Sequence, residues 1–375
     1  MWWGRRKFSR DRRAGPVLGC ARRRWGAVRR DRYREMFMRR SFVRHLAPSL
    51  LIAIAACGPG TTGTGDDDDD DQPQIDAGFD DDATTPPVTD ECRKMDLIFV
   101  IDDSGSMEEE QTNLASNFPM FATLLNSYTI STGETLDYRA AITTTGITAN
   151  ITIQPPVVPG FPPFPPIQQP QTGLDGKFKQ SCGMTRPWLE RTDPNMATTF
   201  ACNANVGTSG PAIEMPLRAS QLAATLATNP GFLRDDALLG IVILTDEDDC
   251  SRTSTTFTTS GDNCATNGDT GLEMPSEIIA TLDQVKGDRG RWAAAIIAGL
   301  TSCSSSFGMA EEGIRLKQFQ QAAGTNVVYG DICAGNLAPA LQQALESFQT
   351  ACENFPPIGR QALPPASPPA ASTLN

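Results

Sequence analysis

The chain has 375 residues, a formal net charge of −12 and a single histidine, His45. This length allows one large domain or two small ones. Residues 1–56 hold 16 Lys and Arg against three acidic residues, which leaves 16 basic and 41 acidic residues downstream. The acidic part disfavours nucleic acid and anionic membranes as partners, because like charges repel. It suits cations and basic protein surfaces instead.

A short apolar stretch follows three arginines in the segment 39–44. The stretch, Leu46–Ala56, is shorter than the about 20 residues that cross a bilayer and fits a cleaved signal. Its end, IAAC at 54–57, resembles a bacterial lipobox, which implies cleavage before Cys57 and lipidation of its thiol. An ordinary signal peptide with an incidental cysteine is the alternative. Cleavage removes His45, so the mature chain is expected to lack a Ser-His-Asp relay and a His-ligated zinc site.

Residues 1–37 are Arg-rich and lie ahead of this signal, which normally begins near the initiator. Translation from Met36 or Met38 explains the extension most simply, and an Arg-rich nucleic-acid arm is the alternative. The residue after Cys57 is Gly58 rather than Asp. By resemblance to enterobacterial sorting, this favours the outer membrane, with the periplasmic or surface face left open.

The predicted mature chain begins with an acidic tether, residues 57–90, rich in Gly, Thr, Asp and Pro. Such a segment buries too little apolar surface to offset its ordering entropy, so we expect it to be disordered. Its run Asp66–Asp71 either holds calcium loosely or serves as a solvated spacer. The Pro- and Ala-rich tail, residues 354–375, is expected to be disordered as well.

Strand and helix patterns alternate between residues 91 and 353, which we take as one domain. Short apolar runs predict buried strands at Lys94–Ile101, Tyr138–Thr145, Ala237–Thr245, Trp292–Ala298 and Asn326–Tyr329. Helical spacing of apolar residues predicts a first helix through positions 114, 118, 121 and 125, and others near 211–226, 275–285, 309–323 and 336–350. Glu108–Glu110 suit the first turn of the first helix, and Asn336 suits the cap of the last. The alternation predicts an α/β fold with a doubly wound, mainly parallel sheet and helices on both faces.

One region, residues 152–200, interrupts this alternation. It contains the Pro-rich stretch Pro155–Pro170 and few helical or strand periods. We expect a long insertion that projects from the domain, either as a rigid loop or as a PxxP-type ligand for another protein.

The sequence DDSGS at 102–106 follows directly on the first predicted strand. Ligands of α/β sheets bind at the carboxyl ends of strands. There the DxSxS turn aims the side-chain oxygens of Asp102, Ser104 and Ser106 into one crevice. Oxygen-only ligation suits hard divalent cations, Mg²⁺ above all and also Ca²⁺ or Mn²⁺. The alternative role for the two serines is to cap the following helix.

Strand-DxSxS-helix resembles the von Willebrand factor type A family and its metal-ion-dependent adhesion site. The resemblance implies that Ser104 and Ser106 bind the metal directly and that Asp102 acts through water. It further implies a ligand from Thr208, in the sequence GTSG at 207–210 that opens a helix, and an Asp after the fourth strand, Asp246. It covers about residues 92–352, the Pro-rich insertion excepted.

The sequence departs from the family at Glu247-Asp248-Asp249, where the family often has Gly directly after the Asp. These three acidic residues could tighten the site, bind a second cation or face water. The sequence does not decide among these roles.

The cysteines predict disulfides. Cys20 and Cys57 aside, eight cysteines remain, an even number that in an exported domain indicates disulfide bonds. Six fall into local pairs, and the resemblance adds a bridge between the domain termini, which gives Cys92–Cys352, Cys182–Cys202, Cys250–Cys264 and Cys303–Cys333. A metal–thiolate cluster is the rival interpretation, although the chain has no CxxC sequence.

Three functions remain open at this point. The first is a non-enzymatic, lipid-anchored envelope module that binds a divalent cation and, through it, a Glu or Asp carboxylate of a partner protein. The second is a structural envelope lipoprotein with an empty metal site. The third is a metal-assisted hydrolase, which the missing histidine and the lack of GxSxG or SxxK sequences disfavour. The sequence indicates no oligomeric state.

Overall fold

A computed structural model describes residues 92–305 and 308–356, so the predicted signal peptide, Cys57 and the tether lie outside the described residues. The helices are α1 (Glu108–Ser127), α2 (Met196–Ala204), α3 (Pro216–Ala223), α4 (Pro275–Lys286), α5 (Ile314–Ala323) and α6 (Ala338–Glu353). The strands are β1 (Lys94–Ile101), β2 (Asp137–Thr144), β3 (Ala149–Ile153), β4 (Ile167–Gln171), β5 (Leu189–Glu190), β6 (Ala237–Leu244), β7 (Thr256–Thr259), β8 (Trp292–Ala298), β9 (Cys303–Ser305), β10 (Gly308–Ala310) and β11 (Val327–Asp331).

The main sheet has six strands in the order β11-β8-β6-β1-β2-β5. Neighbouring strands are parallel, except that the two-residue β5 runs antiparallel to β2. The five predicted strands are the five parallel ones. In β1, every residue from Met95 to Ile101 is buried, as expected for an apolar strand covered on both faces.

Helices cover both faces of this sheet. Leu97, Phe99 and Ile101 of β1 pack in a core with residues of α1, α2 and α6. The alternate residues, Ile98 and Val100, pack in a second core with residues of α3, α4 and α5. Successive side chains of a strand point to opposite faces, so β1 contributes to both cores. The predicted doubly wound α/β fold is confirmed.

Residues 152–200 do not form one projecting insertion, contrary to the prediction. Strand β3 pairs with β4 and, in parallel, with β7, forming a separate three-stranded sheet. Helix α2 belongs to the main core, where Phe200 is buried against Phe99 and Phe118. Only the Pro-rich connection 154–166 fits the expectation, with Val157 73% and Phe161 65% exposed. Strand β4 lies at the edge of its sheet, a position that tolerates a proline such as Pro170. Because of this proline, the sequence pattern does not predict the strand.

Two helices begin later than predicted. The GTSG loop at 207–210 does not open a helix directly, because α3 begins at Pro216. A proline restricts the residue before it to extended backbone, which holds the chain out of a helix before Pro211 and again before Pro216. Helix α5 begins at Ile314, since 308–310 forms strand β10, which pairs with β9. The N-cap residue of α6 is Leu337 rather than the predicted Asn336, although the Asn336 side chain accepts a hydrogen bond from the Ala338 amide at 3.0 Å.

Four disulfides link the described residues, in the same four pairs that the sequence predicts: Cys92–Cys352, Cys182–Cys202, Cys250–Cys264 and Cys303–Cys333. The first joins the start of the domain to the last helix, where the Cys92 amide also donates to the Cys352 carbonyl at 2.9 Å. Among the described helices, none has the length and apolarity needed to cross a membrane.

Candidate metal centre

The carboxyl ends of β1 and β6 lie side by side. Ile101 pairs with Leu244 at the last register position of these parallel strands, and the Asp102 amide donates to the Leu244 carbonyl at 2.9 Å. Asp102 and Asp246 therefore enter the same edge of the sheet from neighbouring strands. This is the edge at which open α/β sheets bind ligands.

The carboxylate of Asp102 is fully buried and held by hydrogen bonds. One oxygen accepts the Ser104 amide at 2.8 Å, and the other accepts the Thr245 hydroxyl at 2.5 Å. Burial raises the pKa of Asp102, and these hydrogen bonds oppose that rise. The side chain is thus fixed in orientation beneath the turn that carries the two serines.

The two serine hydroxyls lie together, with their oxygens 3.1 Å apart. Burial raises the pKa of the Asp246 carboxyl group and the Ser106 hydroxyl opposes that rise, which places Ser106 near Asp246. Ser104 is 3% exposed, whereas Ser106 is exposed, so the group opens to solvent at Ser106. The helix-capping alternative is wrong for these hydroxyls, since they contact each other while the N-cap residue of α1 is Met107.

The loop of Thr208 is held against the DxSxS turn from both sides. The Gly207 amide donates to the Gln111 side chain at 3.2 Å, and its carbonyl accepts from the same side chain at 2.8 Å. The Gly210 amide donates to the Asp103 carbonyl at 2.6 Å. A Cβ atom at Gly210 would lie 2.3 Å from Asp103 Cγ, so this approach requires glycine. Thr208 itself is half-buried. The hydrogen bonds of this loop connect Thr208 to the other predicted ligands.

Gln111 is the positioning residue that sequence reasoning misses. Besides holding Gly207, its side-chain amide donates to the Asp102 carbonyl at 2.8 Å, which ties α1 to β1 and to the Thr208 loop. A signal exists in the sequence. Gln111 lies on the same helical stripe as Leu114 and Phe118, and a polar residue on a buried stripe indicates a specific partner.

The charges at this edge are negative and lack basic partners. Burial, and then repulsion by Asp102, raise the pKa of Asp246 to about 7. Burial, followed by repulsion by Asp246, raises the pKa of Glu110 to about 7. Within the described ranges, no Lys or Arg forms an ion pair with these three carboxyl groups. The sequence predicts that Glu110 places a favourable charge in the first turn of α1. It does not predict that Glu110 is also buried beside the site.

These residues fit a hard divalent cation. One oxygen of Asp246 and one of Glu110 are buried without a hydrogen-bond partner, which is costly unless a cation compensates them. Carboxylate and hydroxyl oxygens are the ligands that Mg²⁺, Ca²⁺ and Mn²⁺ prefer. The donor set contains neither nitrogen nor sulfur.

Asp248 and Asp249 have structural roles. The Asp248 carboxylate accepts the Arg315 amide at 2.9 Å and so caps α5. The Asp249 carboxylate accepts the Leu217 amide of α3 at 3.1 Å and pairs with the Arg315 guanidinium, also at 3.1 Å. Both carboxylates are buried. Neither faces water, and each is already committed to the start of a helix, where the helix dipole favours negative charge.

A second group of residues with metal-ligating side chains already uses those side chains in other bonds. The ligand atoms of Cys303, Asp331 and Cys333 lie within 4.8 Å of one another. The two sulfur atoms are bonded to each other, and the Asp331 side chain accepts the Cys333 amide at 3.0 Å. Without thiolates this group offers no metal–thiolate site.

The described domain is thus a doubly wound α/β domain with an oxygen-only site at the carboxyl edge of its sheet. In these two respects it is similar to a von Willebrand factor type A domain. No protein-family model matches the sequence, and no curated protein matches it.

Several solved structures are similar to the chain over about 70% of its length. Proximal thread matrix protein 1 from the mussel byssus, with a zinc-occupied MIDAS motif, is 13% identical with a TM-score of 0.35, over 71% of this chain and 47% of the mussel chain. The pilus adhesin SpaC from Lactobacillus rhamnosus GG is 10% identical with a TM-score of 0.38, over 69% of this chain and 30% of SpaC. Manganese-loaded TRAP protein from Plasmodium vivax is 13% identical with a TM-score of 0.31, over 67% of this chain and 74% of TRAP.

This chain therefore spans about half the length of the mussel protein chain. With identities below 25% and TM-scores below 0.5, these structures define neither the fold nor the function of this chain.

Proposed function

We propose that the domain binds a divalent cation through Ser104, Ser106 and Thr208, with Asp102 and Asp246 acting through water. Mg²⁺ is the first candidate, and Ca²⁺ or Mn²⁺ would suit the same oxygens. The observation that carries the proposal is the cluster of Asp102, the two serines and Asp246 at one edge of the sheet. It combines an unpartnered buried oxygen on Asp246 with a solvent-exposed hydroxyl on Ser106.

We further propose that the site mediates protein–protein adhesion or scaffolding. A cation bound there would offer an open coordination position to a Glu or Asp carboxylate of a partner protein. The exposed Ser106 lies on the solvent side of the site, where a partner carboxylate could approach. The role of this chain's residues is to hold the oxygen ligands of the cation in place. We propose no catalytic step.

We propose that the protein acts in the cell envelope, and its cysteines support this proposal. Four disulfides in the described domain fit an oxidising, exported environment. We propose lipid anchoring at Cys57, with the acidic tether holding the domain away from the membrane and Gly58 favouring the outer membrane. A Cys57→Ala chain should lose fatty-acid label. Continued labelling of that variant would contradict the anchor.

A metal-dependent capture experiment tests the proposed function. The exported chain is used as bait in envelope extract with Mg²⁺ and, separately, with chelator, beside Ser104→Ala and Ser116→Ala variants. Ser116 is exposed on α1 and bonds only its own helix backbone, so it is a matched serine control. We expect the same partner with wild type and Ser116→Ala in Mg²⁺, and loss of that partner with chelator or Ser104→Ala.

The partner's carboxylate is tested by the same capture. Acidic residues of the recovered partner are changed to amides one at a time, and one such change should abolish capture. Capture that is equal in Mg²⁺ and in chelator would contradict metal-dependent adhesion.

A further inference from the structure

Glu214 is a buried carboxyl group that the proposed adhesion site does not use. Its carbonyl accepts the Cys250 amide at 2.9 Å, and the amide of the next residue, Met215, donates to the Thr145 carbonyl at 3.2 Å. The residue is thereby pinned between the loop after β6 and the end of β2. Its side chain is buried, with 1% of the residue exposed, and neither carboxyl oxygen has a hydrogen-bond partner.

Glu247 lies in the loop after β6 that holds Glu214, and, besides burial, each of the two carboxyl groups shifts the pKa of the other. One carboxyl oxygen of Glu247 is also buried without a hydrogen-bond partner, and the Glu247 amide is held by the Thr245 hydroxyl at 3.2 Å. The charged groups that act most strongly on this pair are carboxylates, namely Asp102, Asp246 and Asp262. Within 92–305 and 308–356, no Lys or Arg forms an ion pair with either glutamate.

The segment that carries Glu214 packs on the opposite face of the sheet from the residue that follows the DxSxS turn. Ile213 and Met215, which flank Glu214, pack in the core formed with α3, α4 and α5. Met107, which follows the DxSxS turn, packs in the core formed with α1, α2 and α6. The glutamate pair consists of carboxyl groups that the cluster of Ser104 and Ser106 does not include, and burial, followed by repulsion by Asp102, raises the pKa of both glutamates.

We propose that Glu214 and Glu247 bind a second divalent cation, of the Ca²⁺ class, on the α3 side of the sheet edge. Two carboxylates with no basic partner need a positive charge between them, because each alone would be an uncompensated buried charge. Carboxylates that can bind through one or both oxygens suit the flexible coordination of Ca²⁺. A proton shared by the two glutamates is the competing arrangement, and it needs no metal.

This site gives Glu247 a role that the flanking residues do not have. The carboxylates of Asp248 and Asp249 bind helix amides and Arg315. The three acidic residues at 247–249 therefore have two different roles. Asp248 and Asp249 build the fold, and Glu247 binds the second cation.

The test counts bound calcium ions per chain by native mass spectrometry of the exported protein. Asp66–Asp71 are replaced by asparagine in every sample, so that calcium held by that run is not counted. We expect two ions on wild type, one on Glu214→Gln, one on Ser104→Ala and none on the double variant. Glu346→Gln is the matched control, because Glu346 is exposed on α6; it should keep two ions.

Glu247→Gln gives an independent reading and should also bind one ion. If Glu214→Gln or Glu247→Gln retains the wild-type number of ions, a shared proton explains the pair and the second site is overturned. Loss of an ion in Ser104→Ala alone would leave the adhesion site standing without this one. Loss in the glutamate variants alone would leave the second site standing while the adhesion site fails.

Discussion

The hydroxyl of Thr245 donates a 2.5 Å hydrogen bond to the carboxylate of Asp102, so the end of β6 orients the first acidic residue of β1's turn. Thr245→Val keeps the shape of the side chain and removes this donor. We expect the free energy of unfolding to fall by about 1–3 kcal/mol, the usual penalty for a buried acceptor that loses its partner. Urea denaturation in chelator measures this.

Cation affinity should fall as well in Thr245→Val, because the Asp102 carboxylate loses its fixed orientation. Thr350→Val is a suitable control, since Thr350 is exposed on α6 and bonds only helix backbone. Unchanged stability and unchanged Mg²⁺ affinity in Thr245→Val would show that Asp102 does not depend on this bond.

Gln111 should control the mobility of the Thr208 loop. Gln111→Leu continues the apolar stripe of α1 but removes the hydrogen bonds to Gly207 and to the Asp102 carbonyl. We expect faster hydrogen exchange at residues 206–210 and weaker Mg²⁺ binding, with most of α1 unaffected. Gln318→Leu, at an exposed position of α5, is the control. Unchanged exchange at 206–210 would rule out Gln111 as the residue that holds this loop.

The stability of the metal-free domain should fall as pH rises from 5 to 8. Burial raises the pKa of Asp246, Glu110 and Glu247 to about 7, whereas unfolded carboxyl groups titrate near 4. The folded state therefore holds protons that the unfolded state has lost. Their stabilising contribution is complete below about pH 4 and is lost as pH passes through 7.

Cations should reverse this pH trend. A cation competes with protons for the same carboxylates, so the thermal shift caused by Mg²⁺ should grow between pH 5 and 8. Melts at several pH values, with Mg²⁺ and after chelation, measure both effects. Asp246→Asn should flatten the pH dependence in chelator. A Mg²⁺ shift that is the same at pH 5 and pH 8 would contradict the assignment of Asp246 to the site.

The Cys250–Cys264 disulfide should stabilise the loop beside the site. It is buried and joins residues 14 apart in sequence. A loop of about 15 residues gives roughly 3 kcal/mol on chain-entropy grounds. The Cys250→Ala, Cys264→Ala double variant should lose about that amount in urea denaturation. Mg²⁺ affinity should fall as well, because Cys250 lies in the loop that also carries Asp246. Full stability in the double variant would contradict this estimate.

The parallel strands and most of the site were predictable from local patterns. A strand buried on both faces is a continuous apolar run, and the DxSxS turn and Asp246 each follow directly on such a run. Their meeting then follows from the rule that parallel strands end at one edge.

The remainder depends on contacts between segments far apart in sequence. Strand β3 pairs with β7 about a hundred residues later, and no local period marks that pairing. Asp248 meets α5, and Glu214 meets Glu247, only after the chain has folded. The tertiary structure decides the partners of such short polar segments. A single sequence has no local pattern that identifies these partners.

The central claim is that the hydroxyl and carboxylate oxygens at the end of β1 bind a cation. The direct measurement is a thermal melt of the exported chain with and without Mg²⁺, in wild type and Ser104→Ala. Linkage gives about 2.7 kcal/mol of stabilisation at a cation concentration a hundredfold above Kd, and wild type should show the corresponding rise in Tm. Ser104→Ala should lose that rise while its Tm in chelator stays close to that of wild type. An equal rise in both proteins, or none in wild type, would contradict the proposed site.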